Sequence, residues 1–140
     1  MNIVFYVPRY HTNLIPWVET LIRANQSVAI LADYIGPSED NKNGLHLLLS
    51  QSIVSRFLEK LFGKSGGYRP LLFSSPFEIF SALSVYLPDI LVVREPRRLG
   101  SLIFLLLARI LGIKVLIYTL TDFSKWPSKK RCLAKLFCFF

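Results

Sequence analysis

DILVVREPRRLGSLIFLLLARILGIKVLIYT, residues 89–119, reads as a strand, a helix and a second strand in immediate succession. Residues 89–93 (DILVV) form a short apolar, β-branched run, the composition of a strand buried on both faces. Pro96 opens a helical stretch that runs to Leu111, and Gly112 closes it, since glycine takes the left-handed backbone of a helix end without steric cost. Residues 113–119 (IKVLIYT) return to strand. The stretch from Leu102 to Leu120 is also apolar enough to suggest a membrane span. Arg109 and Lys114 would each cost about 2.5–3.5 kcal/mol near a bilayer centre. A buried helix broken at Gly112 and followed by a buried strand avoids that cost and is the expectation.

The same alternation extends toward the N-terminus. Residues 2–7 (NIVFYV) read as a strand ended by Pro8, with residues 8–12 as the following loop. From Asn13, Leu14, Trp17, Val18, Leu21 and Ile22 recur at helical spacing, with Thr12 or Asn13 as the cap. Pro16 is tolerated because first-turn amides have no intrahelical acceptor. Residues 27–32 (SVAILA) form a second strand, residues 33–44 a polar loop and residues 46–62 a helix. Residues 63–67 break the pattern, and residues 70–73 make a short third strand. Ser75, Pro76 and Glu78 have the spacing of a capping box ahead of a helix over residues 77–87.

Strands alternating with helices imply a parallel sheet, because parallel neighbours need crossovers and these are right-handed. The expected fold class is α/β: a Rossmann-like, doubly wound parallel sheet of about five strands with helices on both faces. In that order the first and fourth strands lie side by side, and ligands bind at the crevice beyond their carboxyl ends. The loops of residues 8–13 and 94–98 therefore matter most.

At 140 residues the chain has the length of one domain. With 52% hydrophobic and 19% charged residues it is too apolar to be disordered, so either much is buried or a surface meets membrane or partner. Cys132 and Cys138 would sit six residues apart on a helix, nearly two turns, which is no disulfide framework, and they lack metal-site spacing, so a reducing, cytoplasmic setting and no metal are expected; no cofactor is expected either. The apolar start is too short for a signal peptide and no basic residue precedes it. The net charge of +8 resides wholly in residues 94–140, where ten Lys or Arg face Glu95 and Asp122. Such asymmetry suits an anionic partner or a solvated face. No nucleic-acid-binding motif accompanies it, so nucleic acid is not an expected partner.

The first loop, PRYHTN, has no glycine, which excludes the G-x-G-x-x-G dinucleotide fingerprint. Arg9 and His11 stand ahead of a helix N-terminus; they either contact a phosphate or carboxylate or are solvated loop residues. Arg94, Glu95, Arg97 and Arg98 occupy the matching end of the fourth strand. Their guanidinium groups either grip an anion in two-point fashion or pair with Glu95. Thr121 and Asp122 follow the fifth strand, where the carboxylate is either a base or a turn cap. Asp33, Tyr34, Glu39 and Asp40, in the loop after the second strand, are either sugar-hydroxyl ligands or solvated.

NIVFYVPRYHTNLIPWVETLIRANQSVAILADYIGPSED, with DILVVREP and VLIYTLTD, resembles the opening of bacterial family 4 glycosyltransferases of the GT-B fold, over about the first 122 residues. The resemblance implies transfer of a sugar from a nucleotide diphosphate sugar to an acceptor saccharide or lipid held mainly by this domain. Arg9, His11, Asn13, Arg94, Glu95, Arg97 and Thr121 are the substrate-binding residues it implies, with His11 and Asp122 as catalytic candidates. Many relatives carry paired glycines in the first loop, and many have His-Asp after the fifth strand; this chain has Arg9, His11 and Asn13 in the one and Thr121 and Asp122 in the other. The donor is expected on a missing or separate C-terminal domain, and the chain alone is expected to be inactive. Residues 125–140 mix five cations with Trp126, Leu133, Leu136, Phe137, Phe139 and Phe140, which suits either a helix packed under later strands or one lying on the anionic inner face of the plasma membrane.

Overall fold

The computed structural model describes residues 1–36, 46–62, 73–96 and 98–118. Among these residues five parallel strands form one sheet: β1 (Asn2–Tyr10), β2 (Ser27–Ile35), the three-residue β3 (His46–Leu48), β4 (Ile90–Arg94) and β5 (Lys114–Tyr118), in the order β3-β2-β1-β4-β5. Among the described residues the α-helices are α1 (Ile15–Arg23), α2 (Ile53–Phe62), α3 (Pro76–Tyr86) and α4 (Leu99–Ile110). The α/β, Rossmann-like class is as expected, and β1 and β4 are neighbours, with Ile3 opposite Ile90 and Tyr6 opposite Val93. None of the helices among the described residues is long and apolar enough to cross a membrane. Where a span was one reading, α4 ends at Ile110, Gly112 takes φ +69° and β5 begins two residues later.

Alternation along β1 separates the two layers. Val4 and Tyr6 join Leu31, Leu91 and Val93 against Ile79 and Leu83 of α3 and Phe104, Leu105 and Ala108 of α4. Ile3, Phe5 and Val7 face the other way, with Ile30, Ala32 and Val92, against Leu14 and Val18. Successive strand side chains point to opposite faces, so one apolar run supplies both cores.

Several boundaries differ from expectation. β1 continues through Pro8 and Arg9 to Tyr10 rather than ending in a loop at Pro8. Pairing with β4 has already stopped at Tyr6, and Pro8 alone is passed over in the register with β2, so its missing N–H interrupts no ladder bond. β2 likewise runs on to Ile35, which makes Asp33 and Tyr34 strand residues. The third strand is His46–Leu48, taken from what reads as the start of a helix, and α2 begins only at Ile53. Residues 70–72 of the expected third strand lie outside the described residues, and Phe73 is not in a strand. Neither Thr12 nor Asn13 caps α1: a 3-10 turn, Thr12–Leu14, precedes it and no capping side chain bonds to either N-terminus.

The capping box is also a correction. Helix α3 forms and Ser75 takes the extended N-cap conformation, but its side chain makes no capping bond. Glu78 instead accepts hydrogen bonds from the Ser50 N–H at 2.9 Å and from the Ser50 hydroxyl. The carboxylate ties the loop after β3 to α3, a tertiary use of a residue that local spacing assigns to its own helix.

Candidate functional site

Two polar clusters sit at the carboxyl end of the sheet, and the length of β1 and β2 decides their composition. The inner one is closed. The Tyr6 hydroxyl donates to Asp33 Oδ2 at 2.5 Å, and the Ser74 hydroxyl donates to Asp33 Oδ1. Asp33 is 3% exposed. Burial raises its pKa from 3.8 to about 6, against the opposing pull of the Ser74 and Tyr6 hydrogen bonds and of Arg98. Desolvation therefore outweighs three hydrogen bonds, two from the Ser74 hydroxyl and backbone and one from Tyr6, and a cation. Burial and the Asp33 charge push the Tyr6 phenol well above its ordinary value. The Tyr6 ring also stacks on Phe104, with centroids 3.8 Å apart.

Gly100 lets α4 come this close. A Cβ there would stand 2.3 Å from the Tyr6 hydroxyl oxygen and 3.1 Å from Asp33 Oδ2. Neither atom is free to move, since both belong to the buried hydrogen bond, so any side chain at this position displaces the helix. Both readings of Asp33, sugar-hydroxyl ligand or solvated loop residue, are corrected by this geometry: it stands in β2 and its carboxylate is engaged inside the fold. Tyr34 is half-buried beside it, in an open cleft that Ser50, Gln51 and Arg56 also line.

The outer cluster is cationic and open. Pro8, Arg9, His11, Arg94, Glu95 and Arg98 surround a cleft of about 30 Å³ at the ends of β1 and β4. That is space for about two waters, and so for one edge of a phosphate or carboxylate. The Arg9 guanidinium lies across Gly36, where a Cβ would fall 2.3 Å from Nη2, and Arg9 Nε is buried without a hydrogen-bond partner among the described residues. Arg98 Nε lies 3.7 Å from Glu95 Oε2, which offsets one of the three guanidinium charges. The surplus is positive, so an anion entering the cleft gains attraction and relieves repulsion between the arginines.

The loop that carries Arg94 and Glu95 is held under strain. Glu95 has φ +53°, a left-handed conformation that costs a non-glycine residue about 1–2 kcal/mol. Two donors fix it: the Glu95 N–H donates to the Tyr118 carbonyl at 3.0 Å, and the Ser101 hydroxyl shares its one proton between the carbonyls of Glu95 at 3.0 Å and Arg94 at 3.3 Å. Arg98 is the N-cap residue of α4, where the helix dipole disfavours a cation and favours an anion beside it.

Five of the residues singled out from sequence, Arg9, His11, Arg94, Glu95 and Arg98, thus share one cleft. Asn13 does not join them. It lines a separate apolar groove of about 450 Å³ between α1 and the sheet, with Ile3, Phe5, Leu14, Trp17, Val92, Leu116 and Tyr118 among its walls. Arg94 belongs to both spaces. Arg97, Thr121 and Asp122, and Glu39 and Asp40, lie outside the described residues. No group of three or more His, Cys, Asp or Glu that could hold a metal occurs among the described residues. Tyr6, Ser74, Gly100 and Ser101 are missed by sequence reading; the one available signal is a tyrosine in an otherwise apolar strand, whose buried hydroxyl needs a partner.

Comparison with protein-family models, with curated proteins and with solved structures returns no match to this chain.

Proposed function

We propose that the chain is the acceptor-side half of a glycosyltransferase, holding an anionic acceptor while a nucleotide diphosphate sugar is presented by a donor-binding domain. The observation that carries this reading is the cationic cleft of Arg9, His11, Arg94 and Arg98 at the β1/β4 crevice, where open α/β sheets bind ligands. Arg94 also borders the apolar groove, so the arrangement favours an acceptor with a phosphate or carboxylate head and an apolar body, such as a lipid-linked one. Two-point guanidinium contacts fix such a head group in register. The resemblance to family 4 glycosyltransferases adds Arg97, Thr121 and Asp122, which lie outside the described residues, as further candidates, and His11 is the proton carrier of this reading.

The test is transfer of label from a panel of nucleotide sugars to extracted acceptors, using the chain together with the donor-binding domain its gene or gene neighbourhood encodes. Arg94→Ala and His11→Ala are expected to lower turnover by about tenfold or more while thermal unfolding is unchanged. Turnover equal to wild type in both variants contradicts the reading. A second reading, a non-catalytic anion-binding module, draws on the pairing of Glu95 with Arg98, which engages the only carboxylate of the cleft among the described residues. It requires anion binding with no transfer in the presence of any donor domain.

A further inference from the structure

Helix α2 has its amphipathicity reversed. Ser55, on the side facing the protein, is fully buried and its Oγ accepts a hydrogen bond from the Phe73 N–H at 3.1 Å. Ile53, Val54, Phe57 and Leu61 fall together on one arc at the helical repeat, and they are 80%, 57%, 60% and 62% exposed. A helix docked on a soluble core presents the opposite arrangement.

The charges beside this arc have one sign. Arg56 and Lys60 are exposed, whereas Glu59, the acid of the helix, is half-buried and its Oε1 is shielded from solvent. The surrounding sequence keeps the bias: residues 51–70 contain Arg56, Lys60, Lys64 and Arg69 against Glu59 alone. A second copy of the chain, itself carrying +8, would bring like charges together on this face.

We propose that the outward face of α2 docks on an anionic lipid bilayer, with Ile53, Phe57 and Leu61 in the interface and Arg56 and Lys60 on the headgroup phosphates. An apolar stripe edged by cations is the form such interfacial helices take, and each cation adds attraction to acidic lipid. The inference stands apart from sugar transfer, because α2 contributes none of the residues of the cationic cleft.

Sedimentation of the full chain with phosphatidylcholine vesicles, and with vesicles of equal parts phosphatidylcholine and phosphatidylglycerol, tests it. The chain is expected to sediment with the acidic vesicles and to stay in solution with the neutral ones. Phe57→Ser with Leu61→Ser is expected to weaken the acidic-vesicle binding by about tenfold or more, and Arg56→Glu with Lys60→Glu to weaken it similarly, both with unchanged circular dichroism. Binding that survives both double variants overturns the proposal by placing the lipid contact elsewhere, such as residues 125–140. No vesicle binding by the wild type also overturns it. So does self-association that the serine variants abolish, which would identify a second copy as the occupant.

Discussion

Asp33 is the residue at which folding cost and site architecture meet. In the unfolded chain it releases its proton near 3.8, and in the fold it keeps it to about 6. The folded state therefore binds more protons between these values, so stability falls as pH rises from about 4 to about 6 and stays lowered above that. The two-unit difference corresponds to about 3 kcal/mol at neutral pH. Asp33→Asn keeps an acceptor for Tyr6 and gives Ser74 an amide partner. Its stability is expected to be flat across this window and above wild type at neutral pH, as read from thermal unfolding at a series of pH values; a variant as pH-dependent as wild type would show that Asp33 is not the titrating group. Sequence reading places Asp33 in a solvated loop because nothing local shows that β2 outlasts the apolar run SVAILA. Arg9, His11, Arg94 and Glu95 are easier to read, since strand ends in a doubly wound sheet converge whatever the strand lengths.

Among the elements, α3 tests how far local rules carry. Ser75, Pro76 and Glu78 mark its start correctly, yet Ser75 makes no side-chain cap and Glu78 bonds Ser50. Ser75→Ala is accordingly expected to cost under about 0.5 kcal/mol, less than the roughly 1 kcal/mol typical of a lost N-cap. Glu78→Ala is expected to cost about 0.5–1.5 kcal/mol, the net worth of its bond to the Ser50 N–H, which is exposed and turns to water when the carboxylate is removed. Chemical denaturation of the two variants distinguishes a tertiary clamp from a cap, and a larger loss in Ser75→Ala would favour the cap. Helices α1, α3 and α4 are legible from periodicity and turn residues, as are β1, β2, β4 and β5. β3 is not: HLL within residues 46–48 carries no alternation, and its pairing with Ile30, Leu31 and Ala32 is a long-range choice that a sequence window cannot contain.

At the scale of the whole molecule, the cationic cleft and the apolar groove of the described residues meet at a single side chain. Arg94 stands where the cationic cleft meets the groove between α1 and the sheet, and Glu95 pays for that placement with a left-handed backbone. Gly36 has a matching part, because a methyl group there would push the Arg9 guanidinium aside. Gly36→Ala is therefore expected to leave the fold intact, the displaced group being the end of a flexible side chain, and to weaken anion binding. The most direct measurement is calorimetric titration of the full chain with inorganic pyrophosphate, comparing wild type with Arg94→Ala at matched ionic strength. Binding by the wild type that weakens about tenfold or more in Arg94→Ala, with unchanged thermal unfolding, is the result expected of a ligand site at the β1/β4 crevice. Equal binding by the two proteins, or none by the wild type, would contradict it.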